Sequence, residues 1–129
     1  MTNMLQDGAT WLGGQLRDNA GRTVTVQQGS TILSVDPSGN ALAGIMSGHE
    51  HEILDDNGFQ IKVLSYDWTF LATDLGSLEL REGAIIRETL SGTVYEYEAM
   101  QFGHMPAVER LDSSGLLVLV HTKQVSIVT

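Results

Sequence analysis

The amino-acid sequence predicts a mainly β protein: a small, largely antiparallel β-barrel or sandwich preceded by an N-terminal α-helix. Three observations support this fold class. Apolar residues recur at three- and four-residue steps within residues 1–20, which is the period of a helix. From Arg22 onward the pattern alternates, and turn signals rich in Gly, Asn and Asp separate the alternating runs. With 129 residues, the chain has the length of one domain, with a helix over 1–20 and a β-barrel over 22–128.

The predicted helix carries an apolar stripe that needs a surface to pack against. Its helical-period positions are Leu5, Ala9, Leu12, Leu16 and Ala20, flanked by Met4 and Trp11. The Gly13-Gly14 pair costs about 1 kcal/mol per glycine relative to alanine, so the isolated helix is marginal. We therefore expect this segment to dock on the barrel or on a neighbouring subunit through four residues: Leu5, Trp11, Leu12 and Leu16.

The first half of the predicted barrel consists of hairpins. Residues 23–27 and 30–35 alternate around a Gln28-Gly29 turn, and 36–40 is a strong loop signal. Residues 41–47 are apolar and ambiguous. Residues 49–54 and 59–64 flank Asp55-Asp56-Asn57-Gly58. Asn-Gly favours a type I′ turn, in which both central residues need positive φ, and the sequence therefore predicts a hairpin here.

The second half continues with shorter elements. Residues 68–71 predict a short strand or extended edge, 72–75 a tight helical turn, and 76–83 a loop with some extended character. A further hairpin is predicted over 84–100, with its turn at Leu90-Ser91-Gly92. Residues 101–115 form the longest irregular stretch, and the apolar run 116–125 predicts a central strand.

Composition and charge exclude several classes of protein. Seven Lys and Arg against 16 Asp and Glu give a net charge of −9, and the basic residues are scattered. This disfavours binding to nucleic-acid phosphates or to anionic membranes. No run approaches the ~20 apolar residues of a membrane-spanning helix. The chain has no cysteine, which excludes disulfides, thiolate zinc sites and a cysteine nucleophile.

The string His49-Glu50-His51-Glu52 is the main candidate for metal binding. On a strand the two histidines share a face, and a third ligand could come from elsewhere in the chain. The candidates for that ligand are His104, His121 and Asp55. A polar, solvent-facing strand accounts better for the string, because no second cluster of ligands accompanies it. Asp55-Asp56-Asn57-Gly58 lacks the spacing of a calcium loop and predicts a turn. We expect no bound metal.

Catalytic motifs are missing. The frames Gly-x-Ser-x-Gly, Gly-x-Gly-x-x-Gly and Gly-x-x-x-x-Gly-Lys do not occur, so we expect neither an enzyme nor a cofactor. Two alternatives remain open. One is a stand-alone small-ligand-binding β domain that uses an aromatic platform of Trp68, Phe70, Tyr95 and Tyr97. The other is a metal-dependent hydrolase built on His49 and His51.

The ordered features of the chain resemble one protein family. The helix segment 4–16 (MLQDGATWLGGQL), the extended run ending in a turn at 63–75 (VLSYDWTFLATDL), the strand 95–100 (YEYEAM) and the ending 119–125 (LVHTKQV) carry the resemblance. Residues 81–86 (REGAII) match the family's strand opener in part. These features resemble the head–tail joining proteins of tailed bacteriophages, also called head-closure or stopper proteins.

The resemblance implies a non-enzymatic structural protein of the virion neck, made in the host bacterial cytoplasm. It implies a homo-oligomeric ring, for which six-fold symmetry is one option, that contacts portal or adaptor proteins and tail proteins. Duplex DNA would pass through the ring only as cargo, and an acidic wall would repel its phosphates. Adaptor and tail-completion or terminator subunits are alternatives within the same class. His104 and Met105 are further candidate partner contacts, within a loop 101–115 that either projects towards the channel or a neighbouring ring or is a plain surface loop.

Overall fold

The computed structural model describes residues 21–103, 105–110 and 116–128, with the backbone alone for His49 and His51. These residues contain one short helix, α1 (Ala72–Leu75). Their strands are β1 (Arg22–Thr23), β2 (Thr25–Gln28), β3 (Thr31–Leu33), β4 (Ala43–Leu54), β5 (Gln60–Leu71), β6 (Ile85–Leu90), β7 (Thr93–Ala99), β8 (Val108–Arg110) and β9 (Leu117–Val128). The helix predicted over 1–20, with Leu5, Trp11, Leu12 and Leu16, lies outside the described residues, and so does His104.

The strands form a single antiparallel sheet that curves into a half-barrel. Its order is β1-β4-β5-β9-β7-β6-β2-β3, and β8 pairs with β9 off this path. β1 pairs with β4 while β2 pairs with β6, and Val24 is the single residue between β1 and β2. The two halves of the curve are therefore joined by one continuous stretch of chain. The predicted mainly β, antiparallel fold is confirmed.

The core lies on the concave side of the sheet. β5 supplies Trp68 and Phe70, and β9 supplies Val118 and Val120, all of them buried. Alternation along each strand places these pairs on one face, as period-two sequences require. Tyr97 packs its ring edge-on against Trp68, with centroids 5.4 Å apart, a geometry that aromatic pairs favour.

A buried ion pair ties the two halves of the curve together. The Arg22 guanidinium on β1 donates to both carboxylate oxygens of Glu88 on β6, at 2.6 and 2.5 Å. Glu88 is 2% exposed, and a carboxylate at that depth is tolerated when a guanidinium satisfies it bidentately. Arg22 also lies over the Trp68 ring, 5.9 Å from its centroid. The Arg22–Glu88 pair, with Arg22 over Trp68, thus connects β1, β5 and β6.

Two hairpins confirm the sequence prediction, although the turn chemistry differs from expectation at one of them. At the β4–β5 hairpin, Asp55 Oδ1 accepts the N–H groups of Asn57 and Phe59, and only Gly58 has a positive φ, of 82°. The type I′ turn predicted at Asn57-Gly58 is therefore wrong, while the hairpin itself is right. At the β6–β7 turn both Ser91 and Gly92 have positive φ, 51° and 82°, as a type I′ turn demands.

Three strand predictions need correction. Residues 41–47 are not ambiguous in the structure, because β4 begins at Ala43 and runs for 12 residues. Residues 68–71 are not a separate short strand, since pairing with β4 up to Thr69 and with β9 up to Leu71 makes them the end of β5. The stretch 101–115 contains β8, which forms because it pairs with β9. All three differences arise from pairing with strands that are distant in the chain, and the local sequence does not reveal such pairing. The helical turn at 72–75 and the central position of β9 are confirmed.

Gly44 on β4 offers a test of the core. A Cβ built there would lie 2.7 Å from Cε1 of the Phe70 ring, which is 1% exposed. Gly44→Ala should therefore lower the free energy of unfolding by about 1–3 kcal/mol, the usual cost of overpacking. Urea unfolding followed by Trp fluorescence measures this change.

Gly48→Ala on the same strand is the matched control. Its Cβ would meet only Leu64, at an ordinary 3.9 Å, so stability should stay unchanged or rise slightly. Equal losses of stability in the two variants would contradict the close approach of Phe70 to β4.

Candidate functional site

The β4–β5 hairpin extends beyond the rest of the sheet as an arm, defined here as residues 47–65. β5 pairs with β9 only from Tyr66 to Leu71, whereas its pairing with β4 continues out to Gln60 and Leu54. The arm exposes large apolar side chains near its tip, with Leu54 and Phe59 each 69% exposed and Ile61 41% exposed. It also carries four acidic residues against one lysine. Apolar groups so exposed are typical of a contact surface.

Met105, a predicted partner contact, lies beside this arm. It forms an isolated bridge with Phe102, in which each backbone N–H donates to the carbonyl of the other residue. Together with Ile53 and Leu54 these residues line an open groove of about 720 Å³. The structure thus places Met105 half-buried at the flank of the arm rather than on a projecting loop.

A second apolar surface lies at the far end of β9 and on the hairpin next to it. Val125, Ile127 and Val128 are each about half exposed, and Leu90 of the β6–β7 turn lies at the same end of the sheet. We call these four residues the β9-end patch. Sequence reasoning predicted a central strand over 116–125 and could not show that its last residues would be left uncovered.

A cleft separates the arm from the β9-end patch. Leu64 and Tyr66 of β5 form one wall, and residues 123–127 of β9 form the other, enclosing about 520 Å³. At its base the Thr122 hydroxyl donates to the Tyr66 carbonyl over 2.5 Å. Beyond that hydrogen bond the two strands diverge.

A buried polar row crosses the sheet just below the cleft. His121 of β9 is 3% exposed, and its Nδ1 lies 2.9 Å from Asp67 Oδ1 while its Nε2 lies 2.7 Å from Glu109 Oε2. Ser65 donates its hydroxyl to the same Asp67 oxygen over 2.9 Å. The row therefore links β5, β9 and β8 through one imidazole.

The pKa of His121 is raised above its ordinary value of 6.5. Burial by itself lowers that pKa, but the hydrogen bonds to Glu109 and Asp67 and the charges of both carboxylates outweigh burial. The imidazolium form, which donates from both nitrogens, suits a site flanked by two carboxylates. The two carboxylates therefore favour the imidazolium form of His121 more than water does.

This row does not have the geometry of a catalytic triad. In a triad the serine hydroxyl donates to the histidine, which removes its proton. Here the Ser65 hydroxyl donates to Asp67 instead, and both His121 nitrogens already contact carboxylates. All three side chains are buried, so a substrate cannot reach them. The arrangement stabilises strand packing.

The candidate metal ligands are not brought together where the structure describes them. In the described part of the chain, no group of three or more His, Asp or Glu side chains could hold a metal ion. Both nitrogens of His121 are engaged by carboxylates, and Asp55 Oδ1 accepts two backbone N–H groups in its turn. The backbones of His49 and His51 pair with Ser65 and Val63 in the arm.

The four aromatic residues that the ligand-binding alternative would use lie mainly in the core. Trp68, Phe70 and Tyr97 are 0%, 1% and 4% exposed, and Tyr95 packs against the same core. Trp68, Phe70 and Tyr97 therefore have almost no surface to offer a ligand, whereas Tyr95 is half-buried. Burial also raises the pKa of the Tyr97 hydroxyl, with Glu88 adding to the effect.

The comparison with known families gives a match that covers nearly the whole chain. The chain matches the model of the family described as phage head-tail joining protein over residues 2–129, and it belongs to that family. It is therefore a structural protein of the bacteriophage virion, and the resemblance noted in the sequence is confirmed. No curated protein matches the chain. No helix in the part of the chain that the structure describes is long and apolar enough to cross a membrane.

The raised pKa of His121 predicts how stability changes with pH. Because the folded pKa lies above the unfolded value, the contribution of the imidazolium is complete below pH 6.5 and is lost as pH rises through the folded pKa. Urea unfolding measured from pH 5.5 to 9 should show this decline. His121→Gln should remove that part of the pH dependence and destabilise the protein by roughly 3 kcal/mol, since it leaves Asp67 buried without its cationic partner.

Glu109→Gln is the control for the electrostatic cause. It keeps a hydrogen-bonding side chain but removes one charge, so the loss of stability should occur at lower pH than in the unmodified protein. Identical pH profiles for the unmodified protein and His121→Gln would show that the pKa of His121 is the same in the folded and unfolded states, which would contradict the raised pKa.

Proposed function

We propose that this chain is the repeating subunit of a homo-oligomeric ring in the phage neck, in the head-closure or stopper position. The observation that carries this proposal is the presence of two different apolar surfaces on one chain: the tip of the arm and the β9-end patch. Membership of the head-tail joining family supports the location. In this proposal the whole chain, 1–129, acts as a single domain made in the host bacterial cytoplasm.

Two dissimilar surfaces favour a ring over a two-fold dimer. An isologous dimer uses the same patch on both subunits, whereas a head-to-tail contact joins unlike patches and closes into a ring when the rotation between subunits allows. Leu54, Phe59 and Ile61 at the arm tip lie on a different element from Val125 and Ile127. A subunit that must also contact a head protein on one side and a tail protein on the other benefits from such an asymmetric design.

The charge distribution suits a ring through which DNA moves. The net charge is −9, and two of the described arginines are engaged by carboxylates of the same chain, Arg22 by Glu88 and Arg87 by Glu96. Cations held in this way are not free to bind phosphate. An acidic wall would repel the duplex and keep it mobile.

Ring formation can be tested by sedimentation velocity and negative-stain electron microscopy of the purified full chain. We expect a closed ring that appears with increasing concentration. Phe59→Asp at the arm tip and Ile127→Asp in the β9-end patch should each weaken assembly at least tenfold while leaving the melting temperature nearly unchanged.

Ile32→Asp is the matched control, because Ile32 is an exposed isoleucine on β3, outside both surfaces. Assembly that fails equally in all three variants would point to a general effect of surface charge. A chain that stays monomeric at every concentration would contradict the proposed ring.

The DNA proposal has its own test, a fluorescence titration of labelled duplex DNA at low salt, where phosphate attraction is least screened. We expect no measurable binding by the unmodified chain. Tight, salt-dependent binding would instead mean that the remaining arginines, Arg17, Arg81 and Arg110, form a basic patch with the others, and the picture of a repelling channel would be wrong.

A further inference from the structure

Three long strands of this chain have a stretch whose second backbone edge has no strand partner in the part that the structure describes. β4 pairs with β1 only through Ala43 and Gly44, so residues 48–54 pair with β5 on one side and with no described strand on the other. β5 and β9 pair with each other only as far as Tyr66 and Thr122. Residues 60–65 of β5 therefore pair with β4 alone, and residues 123–128 of β9 pair with β7 alone. Unpaired edges of this length are templates for pairing with another chain.

The edge of β9 also has apolar walls. Leu64 and Tyr66 face Val125 and Ile127 across the cleft, and Leu64 is 48% exposed. A β-bulge shapes this edge, because the register with β7 passes from Gln124 to Ser126 and leaves Val125 as the extra residue. A bulge increases the local twist of the strand that carries it.

The edges of β4 and β9 differ in charge. Residues 48–54 of β4 carry Glu50 and Glu52 and no Lys or Arg, whereas residues 123–128 of β9 carry Lys123 and no acidic residue. Both glutamates and the lysine are exposed. Pairing β4 with a second β4 would bring four glutamates together, and like charges on paired strands are destabilising. Pairing β4 with β9 brings opposite charges together instead.

We propose that the free edge of β4 in one copy of this chain pairs with the free edge of β9 in the next copy, so that neighbouring subunits share one continuous sheet. This inference rests on the proposed ring and names the contact that builds it. The occupant of the cleft is thus the arm of the neighbouring subunit. Main-chain hydrogen bonds supply the attraction, and the apolar walls and opposite charges select the partner edge.

The absence of cysteine in the chain makes disulfide trapping a clean test. Two singly substituted full-length chains are prepared, Glu52→Cys on β4 and Val125→Cys on β9, both at exposed positions. Each is oxidised with oxidised glutathione alone and as an equal mixture, and the products are separated on a denaturing, non-reducing gel. The mixture should give a covalent dimer at least ten times more abundant than in either chain alone. Glu50→Cys mixed with Val125→Cys forms a second pair, in a register shifted by two residues.

The doubly substituted chain, Glu52→Cys with Val125→Cys, extends the test. Head-to-tail pairing should give a ladder of trimers and higher multiples, which a two-fold contact cannot produce. Ile32→Cys mixed with Val125→Cys is the control and should remain monomeric.

Each possible result either supports or overturns the proposed pairing of β4 with β9. Dimers from Glu52→Cys alone, with no gain on mixing, would show β4–β4 pairing and overturn the inference. Rings seen by microscopy without any cross-link in either pair would also overturn it but leave the proposed function standing. A ladder from open filaments rather than closed rings would support the β4–β9 contact and contradict the ring.

Discussion

The shape of this protein depends on where pairing between β5 and β9 stops. The last pair is Tyr66 and Thr122, and the Thr122 hydroxyl takes the Tyr66 carbonyl as its acceptor at that point. Beyond it β5 continues with β4 to form the arm, while β9 continues with β7 and is bulged at Val125. The arm, the cleft and the β9-end patch all arise from this one separation, because it leaves two long strands each with a single partner.

Two sets of buried ion pairs connect strands of the sheet, and one of them lies next to the point where β5 and β9 separate. His121 joins Asp67 and Glu109 immediately before Thr122, and Arg22 joins Glu88 where the two halves of the curve meet. Such pairs contribute modest net stability but cost a great deal when one partner is removed. They therefore act chiefly by penalising alternative strand registers, in which a buried charge would lose its partner.

Three buried residues of this chain resemble the catalytic residues of a hydrolase, but they stabilise the packing of the strands. Ser65, Asp67 and His121 contain the groups of a hydrolase triad, yet the direction of the Ser65 hydrogen bond and the burial of all three residues make them a packing element. The aromatic residues that suggested a ligand platform fill the core. Exposed apolar side chains remain at the tip of the arm and in the β9-end patch.

Local sequence determined the class of fold and most of its elements. Alternation predicted the strands, Asn-Gly and Ser-Gly positions predicted the hairpins, and the charge disfavoured nucleic-acid binding, since each of these properties depends on neighbouring residues or on composition. Only the tertiary structure decided that residues 60–71 are one strand, that Val108–Arg110 joins the sheet, and that His121 lies between Asp67 and Glu109. Those features depend on pairs of residues far apart in the chain, and a strand's sequence records which of its faces is buried but not which strand lies at its edge. The free edges of β4 and β9 are decided in the same way, by where long-range pairing ends.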